Sequence, residues 1–137
     1  MKTVFITGAG GFIGKNIREQ LKDKYHLLTP SRKELDLLDK KQVDDYFAKS
    51  NIDVVVHCAL VGGSIKEQEV VSALSDNLRM FLNIISTNGK FKKMIHYYSL
   101  SNTNAVLLEI QKIVRKKEKL VEIYKLTQFR DVSILFT

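Results

Sequence analysis

The chain has 137 residues, 45% hydrophobic and 27% charged, enough for about one domain with a modest core. No stretch approaches the ~20 uninterrupted apolar residues of a membrane span, and the single cysteine, Cys58, excludes an internal disulfide and fits a reducing compartment. The formal net charge of +7 sits late in the chain: residues 90–137 carry ten Lys/Arg against four Asp/Glu, the first 89 residues twelve against eleven.

The chain opens on KTVFITGAGGFIG, residues 2–14. Val4, Phe5 and Ile6 have the look of a buried parallel strand ending at Thr7, and from Phe12 onward the apolar residues Phe12, Ile13, Ile17 and Leu21 recur at helical intervals. Beginning directly on a strand, rather than on a signal peptide, makes a cytoplasmic location the expectation. A second short strand is predicted over residues 25–29, halted by Pro30, the only proline. A helix follows over 40–50, with Asp39 as its N-cap and Val43, Tyr46 and Phe47 as its apolar stripe. Residues 53–60, with three successive valines, read as a strand covered on both faces. A long helix is predicted over 66–87, closed by Asn88-Gly89, and a fourth strand over 93–99. A further helix over about 106–114 and a fifth strand over 131–137 complete the series.

Alternating strands and helices predict an α/β fold, a Rossmann-like doubly wound parallel sheet of about five strands in one domain spanning 1–137. The expected strand order is 3-2-1-4-5, with a nucleotide where the order reverses.

Between first strand and first helix stand Gly8, Gly11 and Gly14, spaced GxxGxxG, with Gly10 beside them. Gly8 suits a tight turn. At Gly11 the absence of a side chain lets backbone amides approach a pyrophosphate facing the positive end of the helix dipole, and Gly14 allows close helix–strand packing. The residues of this turn, Gly8, Gly10, Gly11, Phe12, Ile13 and Gly14, are therefore candidate cofactor contacts. After the second strand, where an acidic residue would bind the ribose 2′-hydroxyl of NAD, the chain has Ser31, Arg32 and Lys33. Positive charge there suits the 2′-phosphate of NADP, so NADP is expected in preference to NAD, with Arg32 as its ligand. His57 reads as a neutral histidine satisfied locally at a strand end, and Cys58 as a small buried hydrophobe.

TGAGGFIG in this setting resembles the extended short-chain dehydrogenase/reductase family, the nucleotide-sugar epimerases, dehydratases and reductases. The VGG of residues 61–63 is similar to the GDP-fucose synthases within it. The resemblance implies further contacts. A D-x-x-D segment, here Asp36 to Asp39 with Leu38 inside it, meets the adenine end of the cofactor, with Asp39 the candidate contact and Asp36 holding the loop. An H-x-A segment, here His57, Cys58 and Ala59, lines the cofactor groove. Asn77 and Asn83 help to hold the sheet edge and groove.

Catalysis in that family rests on a Ser or Thr after the fourth strand, for which Ser99 is the candidate, and on Tyr-x-x-x-Lys, in which a nearby lysine makes the tyrosine more acidic. That pair is not found: four residues after Tyr25, Tyr46, Tyr97, Tyr98 and Tyr124 stand Thr29, Ser50, Ser101, Asn102 and Gln128. Alignment on Glu109 puts Ser101 and Ala105 at the tyrosine and lysine positions. The family's carboxyl-terminal substrate domain is also expected to be missing.

The reading is thus an NAD(P)-binding domain of weak or no activity. The alternatives are an enzyme completed by a partner chain or a missing carboxyl-terminal part, and a basic interaction module using Lys112, Arg115, Lys116, Lys117 and Lys119. The expected partner is a nicotinamide dinucleotide, with a nucleotide-sugar as the second small molecule and a homodimer left open. Nucleic acid, membrane and metal are not expected.

Overall fold

A computed structural model describes residues 1–62, 70–87, 89–98 and 121–125. Its elements in chain order are β1 (Thr3–Thr7), α1 (Phe12–Leu21), β2 (His26–Leu28), α2 (Lys40–Lys49), β3 (Val54–His57), α3 (Val70–Ile85), β4 (Lys93–Tyr98) and β5 (Val121–Lys125). All five strands are parallel and lie in the order β2-β1-β3-β4-β5.

The sheet is covered on both faces, as its uninterrupted apolar strands require. Side chains alternate across a strand, so neighbouring residues enter different cores. Phe5, Val55 and Met94 point to one face, where they meet Val43 and Phe47 of α2 and Phe81 and Ile84 of α3. Val4, Ile6, Val56 and Ile95 point to the other, where Ile17 and Leu21 of α1 cover them. Phe5 and Phe47 stack edge-on at 5.1 Å. Burying a side chain of this size contributes ~1.5–3 kcal/mol, so these two layers fix the carboxyl ends of β1 and β3 relative to α1.

The doubly wound fold is the expected one, but two details of the sheet differ. The valine strand β3 pairs directly with β1, in the register Val4↔Val54 to Thr7↔His57, so the order is not 3-2-1-4-5 when strands are numbered along this chain. The pairing is pinned at its start by Asp53, whose Oδ2 accepts from Thr3 N at 2.9 Å and whose Oδ1 takes Lys92 Nζ at 2.8 Å. Beyond β2, where the expected order puts another strand, residues 31–38 form turns that bury Leu35 and Leu37 beneath α3 without joining the ladder. Their anchor is Asn83, whose Nδ2 donates to Leu37 O at 2.8 Å.

The second difference concerns β5. The ladder position beside β4 expected for residues 131–137 is taken by Val121–Lys125, while 131–137 and the helix over 106–114 lie outside the described residues. The helix predictions fit closely where they are described. Asp39 caps α2 by accepting from Gln42 N at 3.1 Å.

Candidate functional site

Two groups of residues meet at the carboxyl ends of β1 and β3. The polypeptide leaves β1 through Gly8, in the left-handed region at φ +65°, and a Cβ there would stand 2.7 Å from Ala59 N. Only glycine meets both conditions. Gly11 N donates back to Gly8 O at 3.0 Å and so closes the turn. Gly11 is then the N-cap of α1, with no side chain to bond the first-turn amides, and that turn contains no acidic residue. Gly14, one turn further, is buried. A Cβ on it would collide with the carbonyl oxygen of Gly8 and lie 2.7 Å from the carbonyl carbon. Helix and strand therefore approach as closely as backbone allows, and the positive end of α1 faces the groove with room for an anion.

Thr7 ties this turn to β3. Its Oγ1 accepts from Cys58 N at 3.1 Å and Ala59 N at 3.0 Å, and it lies 2.6 Å from His57 Nδ1. With two amides already donating to it, the hydroxyl gives its own proton to His57 Nδ1, which makes His57 the Nε2–H tautomer. His57 stacks on His96 at 4.8 Å. Burial, reinforced by the neighbouring imidazole of His96, holds His57 well below its ordinary pKa, and burial lowers His96 to about 4. Both rings are neutral at pH 7 and serve as packing. Burial likewise pushes the Cys58 thiol up to about 12, so it is no nucleophile.

Above these residues runs a groove of about 490 Å³, within the size range of small-molecule sites. The glycine turn (Gly8, Gly10, Gly11), the loop after β2 (Thr29, Pro30, Ser31, Arg32), residues 35–38 and Ala59 to Val61 form its walls. Of the residues predicted from sequence, the groove brings together Gly8, Gly10, Gly11, Arg32, Leu38 and Ala59. Phe12, Ile13, Gly14, Asp39, Cys58 and Asn77 stand apart from its lining. Gly14 and Cys58 act through packing, and Phe12 and Ile13 begin α1, with Phe12 largely exposed. Asp39 is engaged in capping α2, its carboxyl held below the usual range by the Gln42 amide. Asp36, expected to hold the loop, does so by accepting from Leu38 N at 3.0 Å, and it also lines the groove. Asn77 sits behind the wall: its amide donates to Val61 O at 3.1 Å and accepts from Val61 N at 2.8 Å, fixing the strand-to-helix loop. Ser99 lies outside the described residues, one position beyond the end of β4.

Sequence reasoning missed Thr7 as the link between the two strand ends and Arg18 of α1 as a lining residue. The signal for Thr7 was its place between an apolar run and the first glycine. For Arg18 it was a position four residues after Gly14, on the helix that starts at the groove.

Residues 4–125 match the NAD dependent epimerase/dehydratase family. The chain belongs to that family. The chain is 38% identical over 98 residues to a GDP-L-colitose synthase of Yersinia pseudotuberculosis, an alignment covering 68% of the chain and 32% of the relative. It is 43% identical over 65 residues to a GDP-L-fucose synthase of Escherichia coli K12, covering 45% and 20%. It thus spans less than a third of the length of these curated relatives. In fold it is similar to a GDP-L-fucose synthetase of Naegleria fowleri bound to NADP, with a TM-score of 0.68, 18% identity, and 90% of this chain and 52% of that one covered. The epimerase/dehydratase family uses NAD(P), and the glycine turn, the uncapped start of α1 and the groove beside them fit such a group. Among the described residues no helix is long and apolar enough to cross a membrane.

Proposed function

We propose that residues 1–137 form one NADP-binding domain of the kind found in nucleotide-sugar reductases and epimerases, resembling the GDP-fucose and GDP-colitose synthases, and that the domain alone turns over little or no sugar. One observation supports the cofactor half of this reading: Arg32 and the glycine turn line the same groove. The diphosphate would lie against the amides of Gly10, Gly11, Phe12 and Ile13 at the start of α1, the 2′-phosphate against Arg32, and the adenine against Leu38. When bound, the cofactor supplies a hydride donor or acceptor; the chain's own residues orient it and neutralise its charge.

The catalytic half rests on the missing Tyr-x-x-x-Lys pair. A general acid or base contributes ~10²- to 10⁴-fold in rate, and Ser99 alone cannot replace one. A second reading is favoured by the short span against the relatives: the pair and the sugar-binding region are supplied by a longer polypeptide or a partner chain, and the unit then works as an enzyme. Titration of the purified chain with NADPH, followed by an assay of NADPH oxidation with a GDP-4-keto-6-deoxy sugar, separates the two. Binding without oxidation is the expected result. Hydride transfer by the chain alone would overturn the inactive reading, and no binding would overturn the proposal.

A further inference from the structure

We propose that Arg18 is a second specificity-determining residue of this groove, joining Arg32 on the 2′-phosphate of the cofactor's adenosine ribose. The inference rests on the NADP-binding reading above and adds a ligand drawn from α1 rather than from the loop after β2. Among the described residues, the ionisable side chains lining the groove are Arg18, Arg32 and Asp36. Asp36 already has its Oδ1 on Leu38 N. Among the described residues, the two guanidiniums therefore stand as the cationic groups available to an incoming anion.

Neither is committed elsewhere among the described residues. Among the described residues, Arg32 has no side-chain partner. Arg18 reaches only the next residue, Glu19, at 3.5 Å, the limit of a hydrogen bond. Glu19 does not depend on that contact, because its other oxygen accepts from Lys22 Nζ at 2.8 Å. Lys22 is also the main reason that its carboxyl is lowered, with Arg18 contributing least. Arg18 can turn into the groove and leave a carboxylate that stays neutralised by Lys22. Its side chain is 40% exposed and already stands in the groove lining.

A phosphate monoester with a second pKa of ~6 is mostly a dianion at pH 7.5. Two guanidiniums match that charge, and each can offer paired, charge-assisted hydrogen bonds to phosphate oxygens. NAD, with a hydroxyl in place of the phosphate, has nothing there for Arg18 to bind.

The test is calorimetric titration of wild type, Arg18→Gln, Arg18→Lys and Arg32→Gln with NADP, NAD and 2′,5′-ADP at pH 7.5 and 5.5. Arg18→Gln should weaken NADP and 2′,5′-ADP about tenfold and leave NAD within about twofold. Arg18→Lys should recover part of the loss. Lowering the pH to 5.5 should reduce the NADP preference of the wild type more than that of Arg18→Gln. Equal weakening of NADP and NAD would show that Arg18 merely supports the groove, and no change in either would show that it never reaches the phosphate; each overturns the proposal. A wild type that binds neither dinucleotide would instead remove the underlying reading, and this proposal with it. A thermal melt of each variant identifies any that fail to fold, in which case Arg18→Lys alone decides between the outcomes.

Discussion

Thr7 Oγ1 and His57 Nδ1 lie 2.6 Å apart on residues paired in the β1–β3 ladder, at the carboxyl ends of both strands. The same oxygen accepts from the amides of Cys58 and Ala59. One buried hydroxyl thus satisfies three groups and sets the width of the gap into which the glycine turn fits.

Replacing Thr7 by valine keeps the shape and removes the hydroxyl. The loss leaves buried polar groups without their partner, each at ~1–3 kcal/mol. Thr7→Val should therefore be destabilised by about 2–4 kcal/mol, whereas Thr7→Ser should recover most of the loss. Urea unfolding measures both, and hydrogen exchange at Ala59 should accelerate in the valine variant only.

The stacked pair His57 and His96 gives stability a characteristic pH dependence. Both folded-state pKa values lie below the ~6.5 of an unfolded histidine. The unfolded chain therefore binds protons first as pH falls, so the contribution of the neutral rings is present above ~6.5 and is lost from there down toward about 4. Each histidine adds a slope of up to ~1.4 kcal/mol per pH unit inside that window. Denaturant midpoints at pH 7.5, 6.5, 5.5 and 4.5 should drop steadily below 6.5. In His96→Phe the drop should be about half as steep; an unaltered slope would mean that His96 already titrates normally in the folded protein. The carboxylates of Asp53, Asp39 and Glu19, all held low by hydrogen bonds, lose their share only at more acidic pH.

Much of this architecture was legible in the sequence because its signals were local. The stripe Ile17 and Leu21, the cap Asp39 and the valine run each depend on residues within a turn or a strand, and α1, α2 and β3 formed where those signals stood. Strand order is not local. Whether Val54 pairs with Val4 or lies outside β2 is decided by where α2 returns the chain and by the hold of Asp53 on Thr3 N, contacts fifty residues apart. The same separation hid Thr7, whose partners Cys58 and Ala59 are 51 and 52 positions away. Asn83 had a resemblance to suggest a supporting role, but only the fold shows that it carries the loop at Leu37 O. The strand Val121–Lys125 was obscured by the charge run just before it, residues 115–119.

The glycines of the fingerprint should differ sharply in tolerance. A methyl group on Gly14 would strike the carbonyl of Gly8 and crowd Ala9 Cα at 2.8 Å, all backbone atoms that cannot step aside. At Gly10 a methyl group meets nothing within 4 Å. Gly14→Ala should cost about 2–4 kcal/mol and weaken dinucleotide binding beyond what the melt alone predicts, because the first turn of α1 must shift. Gly10→Ala should fold like the wild type. A Gly14→Ala variant with an unaltered melting temperature would mean that helix and strand are farther apart than described.

Arg32 provides the sharpest test of the cofactor assignment. It lines the groove on the loop after β2, its side chain has no partner among the described residues, and it is exposed. Exposure makes its attraction for a phosphate sensitive to salt, so the proposed preference for NADP over NAD should shrink between 50 mM and 500 mM salt as screening shortens to a few ångströms. Arg32→Asp replaces the proposed phosphate ligand with a carboxylate, which would repel a 2′-phosphate but accept a hydrogen bond from a free 2′-hydroxyl. The substitution touches no buried atom and should leave the melt unchanged. It should lower NADP affinity by about 100-fold while leaving NAD affinity equal or higher, a reversal measured by competitive titration with the two dinucleotides. If the variant kept the same ratio of affinities, the ribose would not lie beside Arg32, and the adenosine half of the cofactor would have to be placed elsewhere along the groove.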